Sequence, residues 1–276
     1  MSLPVLIVAG YLGAGKTTLI NDFLADPGGR RTVVLVNDFG AINIDAALIK
    51  TAEGDTIALT NGCACCAIGD DLLGAAKRAV ATAPDLLIVE ASGVSDPARL
   101  ALLLRGVAGV DPARILTVIN GAAARRNARD KFIGQLFAAQ ITSSDFVALN
   151  RETDYAAETV ARLAPDAVFV ASVRAALNGV TSAVAATMVD VLPEFKSRIL
   201  DHPRPTSEAA LRRWTATLPA DVHRAKGIVD TRHGLVKFDY CQGQTVISAL
   251  PFAPRYDVGK IVLIGPAGAC TGPETQ

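Results

Sequence analysis

Net charge is the first thing this chain lacks: 27 basic side chains are matched by 27 acidic ones among 276 residues. Without a global field of either sign, neither nucleic acid nor an anionic membrane is expected as a partner. Long hydrophobic runs are missing as well. The apolar stretch at the N-terminus has no basic leader and extends only about seven residues before a charged loop, too little for a secretory or membrane-spanning segment. The expected location is therefore the cytoplasm, where thiols stay reduced. Histidine occurs three times, at 202, 223 and 233, with no histidine tract, and none of the three is read as a ligand. Aromatic residues make up only 5% of the chain although half of it is hydrophobic. A composition led by Ala, Val and Leu suits a buried parallel sheet flanked by helices.

The most informative residues present are Gly10-Tyr11-Leu12-Gly13-Ala14-Gly15-Lys16-Thr17, which spell G-x-x-x-x-G-K-T directly after Val5-Leu6-Ile7-Val8-Ala9. Strand, glycine loop and helix in that order are the context a phosphate-binding loop requires. Glycines let backbone N–H groups converge on phosphate oxygens, and the following helix points its positive end at the same charge. Lys16 is placed to reach the β- and γ-phosphates, and the Thr17 hydroxyl to ligate Mg²⁺.

Strand-like runs at 4–9, 32–37, 56–60, 85–90, 114–119, 145–149 and 167–171 alternate with helical patterns near 16–26, 69–83, 97–105, 130–140, 155–163 and 174–189. Such alternation predicts βαβ crossovers: an α/β P-loop NTPase domain with a mainly parallel sheet, over residues 1–191. Residues 192–207 collect three prolines and several charges and read as a linker. A short helix near 206–217 and strands near 222–230, 234–240, 244–250 and 260–264 predict a small C-terminal α+β domain over 208–276.

Ligands of an open parallel sheet sit at the carboxyl ends of its strands, so residues that follow strands carry weight. Asp38, in Asn37-Asp38-Phe39-Gly40, is placed as part of a γ-phosphate-sensing switch; a polar turn is the plain alternative. Glu90 ends the run Leu86-Leu87-Ile88-Val89 and is placed either to hold Mg²⁺ with Thr17 or to polarise the attacking water. Gly93 lets a backbone N–H approach the γ-phosphate. The base reader is expected after a late strand, at Asn150-Arg151-Glu152-Thr153-Asp154. A guanine reader has the form Asn-Lys-x-Asp; here Thr153 stands at the final position, and Asp154 serves only after a one-residue adjustment of the loop.

Five cysteines are present, and three of them crowd into Cys63-Ala64-Cys65-Cys66. A soft-metal site, a redox switch and chance remain open for this cluster. Thiolates bind Zn²⁺, Cu(I) or Co²⁺ well and Mg²⁺ badly, and three sulfurs leave a tetrahedral ion one open position, which suits transfer. Cys241 and Cys270 are isolated and read as ordinary residues.

These motifs together resemble the CobW-like GTPases, relatives of the HypB and UreG nickel-insertion proteins. The resemblance rests on Gly13-Ala14-Gly15-Lys16-Thr17-Thr18, on Val36-Asn37-Asp38-Phe39-Gly40 through Ile44-Asp45, and on Gly62-Cys63-Ala64-Cys65-Cys66. It continues through Glu90-Ala91-Ser92-Gly93 with Pro97, Asp145 leading into Asn150, and Arg224-Ala225-Lys226-Gly227. The resemblance implies a slow GTPase that delivers zinc, cobalt or another transition ion to a client metalloprotein. It assigns Gly13 through Thr18 to nucleotide and Mg²⁺, and Cys63, Cys65 and Cys66 to the transferred metal. A regulatory metal or redox sensor without delivery is the alternative reading, and a nucleotide kinase ranks behind both. A homodimer is left open.

Overall fold

In the computed structural model, residues 2–37, 56–59, 67–179, 193–201, 206–250 and 258–267 are described. Two compact units emerge, one formed mainly by residues up to 192 and the other mainly by Pro193–Gln276.

The first unit is built on seven parallel strands: β1 Val5–Ala9, β2 Thr32–Asn37, β3 Thr56–Leu59, β4 Leu86–Glu90, β5 Arg114–Asn120, β6 Phe146–Asn150 and β7 Val168–Phe169. Their order across the sheet is β3-β2-β4-β1-β5-β6-β7. The helices are α1 Lys16–Leu24, α2 Ala67–Ala81, α3 Pro97–Leu104, α4 Gly121–Arg129, α5 Gly134–Thr142, α6 Asp154–Leu163 and α7 Val173–Asn178. Strands buried on both faces need no polar alternation, and β1 and β4 are apolar throughout except for Glu90.

Period-two geometry divides those strands between two cores. Val5, Ile7, Val33, Leu35, Leu87 and Val89 face Leu72, Ala76, Leu100 and Leu104 of α2 and α3. Leu6, Val8, Val34, Val36, Leu86 and Ile88 face Ile20, Phe23 and Leu24 of α1 and Val173 and Ala176 of α7. Hence β1 and the neighbouring β4 send their following helices to opposite faces, which makes their carboxyl ends a topological switch point, the place where such sheets bind ligands.

The second unit is an antiparallel sheet with one helix. It comprises β8 Phe195–Asp201, α8 Glu208–Ala216, β9 Arg224–Thr231, β10 Gly234–Cys241, β11 Gln244–Ala249 and β12 Lys260–Pro266. The strand order is β11-β10-β9-β12-β8. Leu211 of α8 shares a core with Ala225, Val229, Val236, Phe238, Tyr240, Ile261 and Leu263. Gln242 and Gly243 form the β10–β11 turn with φ of 47° and 91°, the left-handed pair that a two-residue hairpin requires.

The parallel α/β domain followed by a smaller α+β unit agrees with the expectation. Three differences are physical. The linker read over 192–207 contains β8, which pairs along its length with β12. Its prolines punctuate this strand rather than interrupt it, since none falls between Pro193 and Pro203. Helix α4 carries no large apolar residue, burying only Gly121, Ala123, Ala124 and Asn127, so hydrophobic periodicity does not reveal it. Strand β7 is two residues long because only Phe146 and Val147 of β6 offer it a register. Among the described residues no helix is long and apolar enough to cross a membrane.

Candidate functional site

The loop between β1 and α1 turns through three glycines with positive φ: Gly10 at 132°, Gly13 at 72° and Gly15 at 104°. At Gly10 a Cβ would stand 2.1 Å from the Val118 carbonyl oxygen of β5, so only glycine lets β1 turn upward there. Gly15 occupies the N-cap position of α1 and supplies no side-chain hydrogen bond to it. By contrast, α3, α6, α7 and α8 are closed by Asp96, Thr153, Ser172 and Ser207, each accepting from a first-turn amide. The start of α1 thus presents backbone N–H groups and the positive end of its dipole, the arrangement an anion needs.

Lys16 is buried, and its Nζ donates to the Gly10 carbonyl at 2.8 Å, bending the side chain back over the loop. Thr17 donates its hydroxyl to Glu90 Oε1 at 2.7 Å. Glu90 is 4% exposed and lies beside β1 through the Val8 register, so the end of β4 meets the first turn of α1. A hydroxyl and a carboxylate in contact, both hard oxygen donors, fit Mg²⁺ far better than a soft ion. Ala14 is buried and Thr18 is exposed on the first turn of α1.

Gly93 sits in the loop that follows β4. A Cβ there would fall 2.6 Å from Leu12 Cδ2 and 2.8 Å from the Leu12 amide nitrogen, so this loop lies directly on the phosphate loop. Two contributors escaped sequence reading. Leu12, a free position of the motif, is the surface on which Gly93 rests. Gln140 of α5 is buried, and its Nε2 donates to the carbonyls of Gly93 at 3.3 Å and Ser95 at 2.9 Å. Both contacts join segments remote in sequence, which no local pattern records.

Asn150 ends β6 and donates Nδ2 to the Ala14 carbonyl at 3.2 Å, tying the candidate base loop to the phosphate loop. Thr153 is the N-cap of α6 and Asp154 its first residue, so Asp154 stands one position beyond the last place of an Asn-Lys-x-Asp reader. On α4, Arg125 stacks over the Tyr155 ring at 4.7 Å, and the helix packs against α5 and α6 rather than standing free as a kinase lid. His223 is buried edge-on to Phe195. Asp38, Cys63, Cys65 and Cys66 lie outside the described residues, and among the described residues no three or more His, Cys, Asp or Glu side chains converge.

An uncapped helix behind a glycine loop, a buried lysine and a Thr–Glu oxygen pair at a switch point define a phosphate-loop nucleotide-binding domain. Comparison with known proteins narrows the class. The chain belongs to the CobW/HypB/UreG family, whose nucleotide-binding domain matches residues 4–174. The cobalamin synthesis protein cobW C-terminal domain matches residues 195–268, starting where β8 starts. Over 194 residues the chain is 31% identical to the zinc chaperone CobW of Pseudomonas aeruginosa, covering 58% of this chain and 52% of that one. It is 39% identical over 113 residues to the zinc-regulated GTPase metalloprotein activator 1 of Dictyostelium discoideum, covering 36% of this chain and 24% of that one. The crystal structure of the Zn(II)-bound YjiA GTPase of E. coli aligns over 96% of this chain and 95% of that one, at 17% identity and a TM-score of 0.47. This chain spans about half the length of the curated zinc chaperones named CobW that it matches.

Proposed function

We propose that this chain is a GTP-hydrolysing metallochaperone of the cytoplasm, which binds a transition metal and hands it to a client metalloprotein. The observation that carries the reading is the Thr17–Glu90 hydrogen bond of 2.7 Å beside Lys16, at the open start of α1. The amides of Gly13 and of Gly15 through Thr17 bind the β-phosphate, and Thr18 lies beside them on the first turn. Lys16 exchanges its bond to Gly10 for the β- and γ-phosphate oxygens and stabilises the charge that grows on them during hydrolysis. Thr17 and Glu90 hold Mg²⁺, which when bound neutralises phosphate charge. Glu90 and Asp38 are the carboxylates available to orient the attacking water. Gly93 brings the loop after β4 against the γ-phosphate side of the site, and Asn150 braces the loop beneath the nucleoside.

The cargo is zinc, with cobalt the alternative, held by the thiolates of Cys63, Cys65 and Cys66. Three sulfurs satisfy a tetrahedral ion incompletely, which favours release to a client that supplies the missing ligands. Names of relatives that include zinc chaperones and a zinc-regulated metalloprotein activator support this cargo. Linkage then requires that a nucleotide which orders the cysteine segment strengthen metal binding, and that metal strengthen nucleotide binding to the same degree. Anaerobic Zn²⁺ and Co²⁺ titrations of the full chain with a non-hydrolysable GTP analogue, with GDP and without nucleotide test the reading. Tighter binding with the triphosphate, lost when Cys63, Cys65 and Cys66 are changed to Ser, is expected. Equal affinity in all three nucleotide states sinks the coupling.

A further inference from the structure

The loop after β6 is tied to its neighbours at Asn150, Arg151 and Thr153. Asn150 is held by the Ala14 carbonyl at 3.2 Å. Arg151 takes a left-handed φ of 52°. Its carbonyl closes on Gly121 at the start of α4, where a Cβ would stand only 2.3 Å from the Arg151 oxygen and 3.0 Å from the Thr153 nitrogen. Thr153 then completes the arrangement. Its Oγ1 accepts from the Ala156 amide and donates to the Gly121 carbonyl, each at 3.2 Å.

A threonine hydroxyl has one proton and two lone pairs. The proton and one lone pair of Thr153 are therefore in use. Guanine displays two adjacent donors, N1–H and the exocyclic N2–H, and a carboxylate accepts both as a bidentate, charge-assisted pair. A single neutral lone pair is no equivalent. Adenine has an acceptor at N1 and no amino group at C2, so it loses little at such a site. Asp154 follows as the exposed first residue of α6, one position beyond the place a guanine reader's carboxylate takes. Affinity for the phosphates, in contrast, comes from the glycine loop, Lys16 and the α1 dipole, none of which senses the base.

We propose that Thr153 makes this site permissive for the purine: it takes adenosine and guanosine phosphates with comparable affinity, so that ATP as well as GTP is a substrate. This inference rests on the phosphate-loop reading above and specifies its substrate class. Where a site is built to hydrogen-bond a particular group, analogues lacking the group are rejected by about 10⁴-fold or more. Here the expected preference for GDP over ADP is within about tenfold, the scale of one neutral hydrogen bond.

Isothermal titration of the full chain with Mg·GDP and Mg·ADP reads this directly, and Thr153→Asp provides the second arm. Aspartate caps helices at least as well as threonine but cannot donate to the Gly121 carbonyl, so circular dichroism must first show that the variant is folded. The variant is expected to bind GDP about 10- to 100-fold more tightly than wild type, the range for a charge-assisted pair, with ADP unchanged. A wild-type preference for GDP above about 1,000-fold overturns the inference while leaving the nucleotide site standing. A folded Thr153→Asp chain whose GDP affinity is unchanged overturns the role given to Thr153. Failure of wild type to bind either nucleotide removes the phosphate-loop reading, and this inference with it.

Discussion

Gly93→Ala tests the juxtaposition on which the site depends. In the native packing the added methyl would lie 2.6 Å from Leu12 Cδ2, 2.8 Å from its amide nitrogen and 3.0 Å from its Cα. The leucine tip can rotate away, but the backbone atoms of a loop fixed by Gly10 and Gly15 cannot. The loop after β4 must therefore lift from the phosphate loop by about half an ångström before contact becomes ordinary. Gln140 resists that movement, since lifting Gly93 stretches its bond to the Gly93 carbonyl. Overpacking of this kind costs about 1–3 kcal/mol of stability. Catalysis is expected to suffer more, because misplacement of a positioning group by about 1 Å can cost about 100-fold. Turnover should fall by roughly 10- to 100-fold, while GDP affinity, which depends on the β-phosphate cradle, changes by less than about threefold. Single-turnover hydrolysis beside fluorescence titration with a labelled GDP separates the two quantities. If Gly93→Ala hydrolyses nucleotide at the wild-type rate, the loop after β4 plays no part in the chemistry.

Lys16→Ala removes the only cationic side chain that the structure places in the phosphate loop, and turnover is expected to drop by about 100-fold or more, measured as phosphate release. A wild-type rate would end the assignment of Lys16. Thr17→Ala leaves Glu90 without the hydroxyl that contacts it, so the Mg²⁺ concentration for half-maximal activity should rise at least about tenfold. An unchanged Mg²⁺ requirement would move the ion elsewhere. In the second unit, Phe238 is fully buried and meets Trp214 edge-on with ring centroids 6.0 Å apart, so Phe238→Ala should cost about 3–5 kcal/mol in urea unfolding followed by Trp214 fluorescence. A loss below about 1 kcal/mol would show that this core is not what holds the sheet together.

How far the sequence revealed these features depended on whether the determining contact was local. The phosphate loop was legible because its glycines answer local demands, positive φ at three positions and a strand-to-helix turn. Glu90 was legible because a carboxylate at the end of an apolar strand needs a reason to be there. Helix α4 was not, since alanines and arginines without a large apolar stripe look the same in a loop. Strand β8 was hidden by its flanking prolines, and only its pairing with β12 makes it a strand. At Thr153 the sequence showed the departure from a guanine-reading pattern but not its consequence. The bonds of its hydroxyl to the Ala156 amide and the Gly121 carbonyl depend on how α4 and α6 meet, which the sequence does not record.

The uncapped start of α1 leads to a last prediction. A Ser, Thr, Asp or Asn at the N-cap stabilises a helix by about 0.5–2 kcal/mol relative to Ala, and four other helices of this chain use one. At α1 that stabilisation is absent, because Gly15 at φ 104° holds the left-handed turn and has no side chain to offer. A phosphate bound there supplies the missing acceptor, so its effect should be concentrated on the amides of residues 15–18. At a ligand concentration 100 times Kd, linkage adds about 2.7 kcal/mol, which for a unit of this size raises Tm by roughly 5–10 °C. Hydrogen exchange with Mg·GDP should therefore show the strongest added protection in the peptide spanning Gly10–Thr18, with the Asp96-capped start of α3 little affected. Protection centred on the start of α3, with none added at Gly10–Thr18, would mean that the anion does not sit on the α1 dipole, and the role of Gly15 would have to be sought in folding alone.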